Sequence, residues 1–168
     1  MFSVIDENNP FSENSKVKIN GYHSFHDENN GLERGNNTIF HFSFSNNMSI
    51  VHLGDLGGDM PEIPDLSDNL IVLAPFGGIF TIDGNKALEI AENLNAKILI
   101  PMHYKTDKVD FELKKLSDYN MDFIRKDSLI IETANDLPDR MQIIELNYNS
   151  HDWDFIISEN QCFYIVWN

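Results

Sequence analysis

Hydrophobic residues in this chain come in short blocks, each stopped abruptly by Gly, Pro, Asp or His. Three blocks stand out: Val51-His52-Leu53-Gly54-Asp55, Leu70-Ile71-Val72-Leu73-Ala74-Pro75 and Ile98-Leu99-Ile100-Pro101-Met102-His103. Apolar runs of about five residues are too short for helices and predict strands, those at 70–74 and 97–101 buried on both faces. The spacing of Val17, Ile19, Tyr22 and Phe25 predicts an earlier strand with a bend at Gly21. Thr38 to Phe44 and Met48 to Leu53 flank Ser45-Asn46-Asn47, a hairpin-length turn, so two antiparallel strands are expected, the second delivering Asp55 at its end. Ala87, Leu88, Ile90, Ala91 and Leu94 recur at helical spacing behind Asp83, which predicts a helix through Asn95 with Asp83 as its N-cap. Strand, helix and strand from Leu70 to Pro101 make a βαβ unit and favour parallel pairing. A second amphipathic helix is expected near Asp110 to Tyr119, with further strands at Leu129 to Ile131 and Met141 to Leu146.

The ends of the chain break this rhythm. Residues 1–15 are rich in Asn, Ser and Glu and read as a leader or disordered loop ahead of a domain over 16–148. Residues 149–168 crowd Trp153, Phe155, Ile156, Ile157, Phe163, Tyr164, Ile165, Val166 and Trp167 together, as either a final hairpin or an apolar tail that needs a partner.

Composition narrows the choice of function. With 168 residues, 42% of them hydrophobic and 11% aromatic, the chain has the length and apolar content for one packed domain. Its net charge of −15 repels polyanions, so no nucleic-acid partner is expected. One cysteine, Cys162, excludes a disulfide within the chain. The opening Met1-Phe2-Ser3-Val4-Ile5-Asp6-Glu7 lacks a basic stretch followed by a long apolar one, and no run reaches bilayer length. A cytoplasmic protein without membrane contact is the expectation.

The strand endings are where chemistry would sit. Of six histidines, His23, His26, His52 and His103 lie in or beside them. Imidazole and carboxylate suit Zn, Mn or Fe, and His26, Asp55 and His103 at three separate endings make a candidate metal site. The bland alternatives are hydrogen-bonded structural histidines and, for Gly54-Asp55-Leu56-Gly57-Gly58, an ordinary Asp-containing turn. Gly77-Gly78 permits positive φ or a close backbone approach. Lys105 suits an anionic substrate, although a solvated lysine is the commoner reading.

These endings fall into an ordered series: His26-Asp27, Gly31 and Arg34-Gly35-Asn36; His52-Leu53-Gly54-Asp55-Leu56-Gly57; Pro75-Phe76-Gly77-Gly78 with Thr81-Ile82-Asp83; and Ile100-Pro101-Met102-His103-Tyr104-Lys105-Thr106. The series resembles the C-terminal half of a metallo-β-lactamase-fold hydrolase, within the branch of ascorbate-6-phosphate lactonase and its Zn-dependent relatives, over residues 16–147. The resemblance implies an α/β fold, part of an αβ/βα sandwich with a mixed sheet and flanking helices. It also implies hydrolysis of an ester, lactone or phosphoester bond in a small-molecule substrate by a hydroxide held between metals. By that likeness His26, Asp55 and His103 are metal ligands, and Asp55, which bridges the two metals, is the catalytic carboxylate. His23 is a weaker match than His26, because the family's histidine is followed directly by Asp. Arg34, Asn36 and Lys105 are the expected substrate contacts.

One departure from the family is large. Its His-x-His-x-Asp-His run should precede His26, and no such run occurs in this sequence. The resemblance therefore implies a truncated site, with the N-terminal half of the sandwich and half of the ligands missing. Two expectations follow: a second copy or a separate chain completes the fold, or the chain is an inactive remnant or interaction module.

Overall fold

The computed structural model describes residues 17–147, and the backbone of 153–157 and 163–167. The expected leader at 1–15 lies outside the described residues.

Ten strands and one α-helix are described: β1 (Val17–Phe25), β2 (Asn36–Phe44), β3 (Ser49–His52), β4 (Leu70–Pro75), α1 (Gly84–Asn93), β5 (Ile98–Met102), β6 (Phe123–Lys126), β7 (Ser128–Ile131), β8 (Gln142–Leu146), β9 (Trp153–Ile157) and β10 (Phe163–Trp167). Seven form one sheet in the order β1-β2-β3-β4-β5-β8-β6, and β7-β10-β9 form a second. In the large sheet β1, β2 and β3 pair antiparallel, while β3, β4, β5, β8 and β6 pair parallel. Two antiparallel steps return the chain to its starting direction, so β1 runs the same way as β3, β4 and β5. Their C-terminal ends therefore meet on one rim, where open α/β sheets place their ligands.

Alternation along the central strands divides the interior in two. Val51, Leu70, Val72, Ala74 and Leu99 face α1 and pack with its Ala87, Ile90 and Ala91. Ile50, Ile71, Ile98 and Ile100 face the other way and pack with Leu129 and Ile131 of β7. A sheet apolar on both faces needs a layer on each, as the short continuous apolar runs predict. Asp83 caps α1, its Oδ1 accepting from the backbone N–H groups of Asn85 and Lys86 at 3.1 and 3.0 Å. Behind the cap, the Tyr119 hydroxyl donates to the Phe76 carbonyl at 2.5 Å within the core.

The structure corrects one expectation and decides between two alternatives. No helix forms over 110–119; only a 3-10 turn at Leu116–Asp118 appears, so α1 is the single α-helix among the described residues. The backbone there is committed elsewhere: the N–H of Lys105 bonds the Lys114 carbonyl and the N–H of Lys114 bonds the Gly77 carbonyl, at 2.8 and 3.0 Å. Those bonds lash the segment across the strand ends, where an α-helix could not keep them. At the C-terminus the hairpin alternative is the one found, with β9 and β10 antiparallel and β10 continuing onto β7. Among the described residues no helix is long and apolar enough to cross a membrane.

One polar group is buried without full satisfaction. His41 on β2 is 1% exposed; its Nε2 lies 3.1 Å from the hydroxyls of both Ser43 and Ser49, while Nδ1 has no partner. Burial holds its pKa below the ordinary histidine value, Lys18 adds to that and Asp65 opposes it. A histidine kept neutral in the fold favours the folded state fully above about pH 6.5, and the advantage is lost as pH falls below that value. Urea midpoints measured from pH 7.5 to 5.5 are expected to fall less steeply for His41→Gln than for the natural chain. Equal slopes would contradict this assignment.

Candidate functional site

The rim is built by close backbone contacts between strand ends. Gly57 donates its N–H to the Phe25 carbonyl at 3.0 Å, Phe76 to Met102 at 2.9 Å and Ile82 to Leu56 at 2.8 Å. A Cβ on Gly57 would stand 2.3 Å from the His26 carbonyl carbon and oxygen, and one on Gly77 would stand 2.5 Å from the His103 oxygen. Both glycines are close-approach positions, which for Gly77 is one of the two options its sequence allows.

Asp27 orders the loop that follows β1. Only 4% exposed, its carboxylate accepts the N–H groups of Asn29 and Gly31 on Oδ1 and of Glu33 and Arg34 on Oδ2, at 2.7 to 3.1 Å. Burial pushes its pKa up, but the four donors outweigh that and hold it below the usual carboxylate range. Asn37 does the equivalent work for the next ending. Its side-chain N–H group donates to Ser24 Oγ and the Leu53 carbonyl, both at 2.8 Å, and its Oδ1 accepts from the Asp55 backbone at 3.0 Å. Sequence reasoning names Asp27 only as the residue after His26 and does not single out Asn37, for which an Asn-Asn pair opening an apolar strand is the one available signal.

Of the predicted ligands, Asp55 and His103 come together. His103 Nδ1 lies 2.9 Å from Asp55 Oδ1, with each side chain about half exposed. The His103 hydrogen bond is the chief reason the Asp55 carboxyl is held below its ordinary pKa; burial opposes it, and the charges of His103, His26 and His52 add to it. His103 sits at φ +50°, a left-handed conformation that costs a non-glycine residue about 1 kcal/mol or more and is concentrated at functional positions. His52 accepts the Gly54 N–H on Nδ1 at 3.0 Å, and burial, reinforced by His103, lowers its pKa to about 4. It is therefore neutral near pH 7, with its proton on Nε2.

His26 acts on Asp55 through space, but no hydrogen bond joins it to Asp55 or His103. Among the described residues no three His, Cys, Asp or Glu side chains are grouped closely enough to hold a metal ion. The donor types suit a transition metal; their number on this rim does not close a site. The expected substrate contacts are dispersed. The Lys105 ammonium is taken up by the Val109 and Phe111 carbonyls of its own loop. Asn36 Oδ1 pairs with His23 Nε2 at 3.2 Å, and the Arg34 guanidinium lies over the Phe80 ring. A cleft of about 640 Å³ opens nearby, lined by Glu28, Gly57, Gly58, Asp59, Thr81, Asp83 and Lys86 among others, and none of the predicted ligands borders it.

The model of the beta-lactamase superfamily domain matches residues 2–103, more than half of the chain. The chain belongs to the metallo-beta-lactamase superfamily. A Zn-dependent hydrolase of that superfamily from Thermotoga maritima superposes with a TM-score of 0.57 at 32% identity, over 78% of this chain and 66% of its own. A UPF0173 metal-dependent hydrolase of Hyperthermus butylicus is 45% identical over 34% of this chain and 26% of its own length. Another, of Lawsonia intracellularis, is 33% identical over 56% of this chain and 40% of its own length. The chain thus spans less than half the length of these two curated relatives.

The rim's dependence on close approach can be tested by Gly57→Ala. The added methyl meets His26 backbone that cannot swing aside, so a loss of about 1–3 kcal/mol in chemical denaturation is expected. Gly35→Ala is the control for positive φ without a clash, since no atom lies within 4 Å of a Cβ there. A Gly57→Ala chain as stable as the natural one would contradict the packing described.

Proposed function

We propose that this chain forms one wall of a metal-dependent hydrolase that cleaves an ester, lactone or phosphoester bond in a small molecule. Asp55, His103 and His26 serve as donors to zinc, or to Mn or Fe. The observation that carries the reading is the convergence of sequence-distant strand ends on one rim, with Asp55 and His103 2.9 Å apart there. The metal-dependent hydrolases that the chain resembles support it. The choice among ester, lactone and phosphoester bonds comes from the sequence resemblance alone.

Asp55 and His103 are two donors in contact, short of the three protein ligands of an ordinary catalytic zinc, and among the described residues no third donor groups with them. The remaining donors come from polypeptide beyond residues 17–147, whether in a longer chain, a second copy or a separate subunit. That same shortfall favours the rival reading, in which the chain is an inactive remnant or an interaction module that needs a partner chain to complete the fold.

Zinc titration by calorimetry separates the two. The hydrolase reading expects binding by the natural chain that weakens at least about 100-fold in Asp55→Ala and in His103→Ala, since loss of even an outer-shell partner costs 10–100-fold. Zinc binding that neither substitution changes, or no binding at all, would sink it for the isolated chain.

A further inference from the structure

Seven large hydrophobic side chains stand exposed among the described residues, and four of them, Leu32, Ile79, Phe80 and Phe111, lie on three loops that leave the rim. Each loop carries a site residue at its root: His26 before Leu32, Gly77 before Ile79 and Phe80, His103 before Phe111. The loops touch at their tips. The Arg34 guanidinium carbon lies 5.6 Å from the centre of the Phe80 ring, and the Phe80 and Phe111 rings meet edge-on with centres 6.0 Å apart.

This row is held in place. Asp27 locks the first loop through four backbone donors, Lys105 closes the third around its Val109 and Phe111 carbonyls, and Lys114 ties the second to the third by a 2.7 Å ion pair with Asp83. Apolar side chains presented to water on braced loops mark a binding surface. On a chain of net charge −15 the row also carries a guanidinium, whose nearest carboxylate among the described residues, Glu33, lies at a loose 3.7 Å. A planar cation beside an aromatic edge fits a ligand that is apolar along its body and anionic at one end.

We propose that Arg34, Phe80 and Phe111 form the lip that recognises the non-reacting part of the substrate: an acyl or aryl group lies along the rings, and its carboxylate or phosphate meets Arg34. The role as a substrate lip rests on the hydrolase reading above; the binding itself does not. Three side chains in a row match one such group, and fall well short of the roughly 800 Å² per partner of a stable protein interface.

The test uses the full chain, stripped of metal with a chelator, so that binding is read without hydrolysis or zinc. Octyl phosphate below its micelle concentration is titrated in, with inorganic phosphate and neutral octyl glucoside as comparisons. Octyl phosphate is expected to bind about tenfold or more tighter than either comparison. Phe111→Ser should weaken it about tenfold with the circular dichroism spectrum unchanged, and Arg34→Gln should reduce it to the level of octyl glucoside while leaving the glucoside unaffected. Octyl phosphate no tighter than inorganic phosphate, or binding indifferent to both substitutions, would overturn the lip. So would a concentration-dependent dimer whose contact protects the amides of residues 32–34, 79–80 and 111, because the occupant would then be a second copy. Zinc affinity does not enter these outcomes, so the lip and the metal site fail separately.

Discussion

Strand direction is the constraint on which the rest of the structure depends. Two antiparallel turns bring β1 back into the direction of β3, β4 and β5, and the parallel pairing of those three fixes one rim for all four C-terminal ends. Asp55 and His103, on separate strand ends, come into contact because of it. Local devices then refine what the topology gathers: glycines where backbones nearly touch, a buried Asp27 carboxylate to shape one loop, and an Asn37 amide to join the ends of β1 and β3.

The same rim carries two kinds of strain. His103 holds a left-handed backbone, and His52, half-buried, is held neutral. Both cost free energy that the two packed faces of the sheet offset, since each face buries several large aliphatic side chains almost completely.

Much of this was legible in the sequence, and the limits are physical. Short apolar runs ending in Gly, Pro or His reported β3, β4 and β5 because a strand buried on both faces leaves no other signature, and Asp83 with its helical repeat reported α1. Strand β6 went unread: Phe123-Ile124-Arg125-Lys126 has little alternation and pairs on the sheet edge, where burial is slight. The segment 110–119 mimicked a helix because Leu113 and Leu116 are spaced like one, whereas long-range backbone bonds to Gly77 decide its course. At the site, donor residue types could be named in advance, but the spending of Lys105 on its own loop and the clamp made by Asn37 are tertiary facts with no local pattern.

The central claim is that His26, Asp55 and His103 act together on one bound ion while His52 stays outside it. The most direct measurement is a long-range nitrogen-15 NMR spectrum of the histidine rings recorded with and without stoichiometric zinc. The ring signals of His26 and His103 are expected to shift together and those of His52 and His41 to hold their positions. Zinc that moves only exposed His23, or moves no ring at all, would contradict the claim.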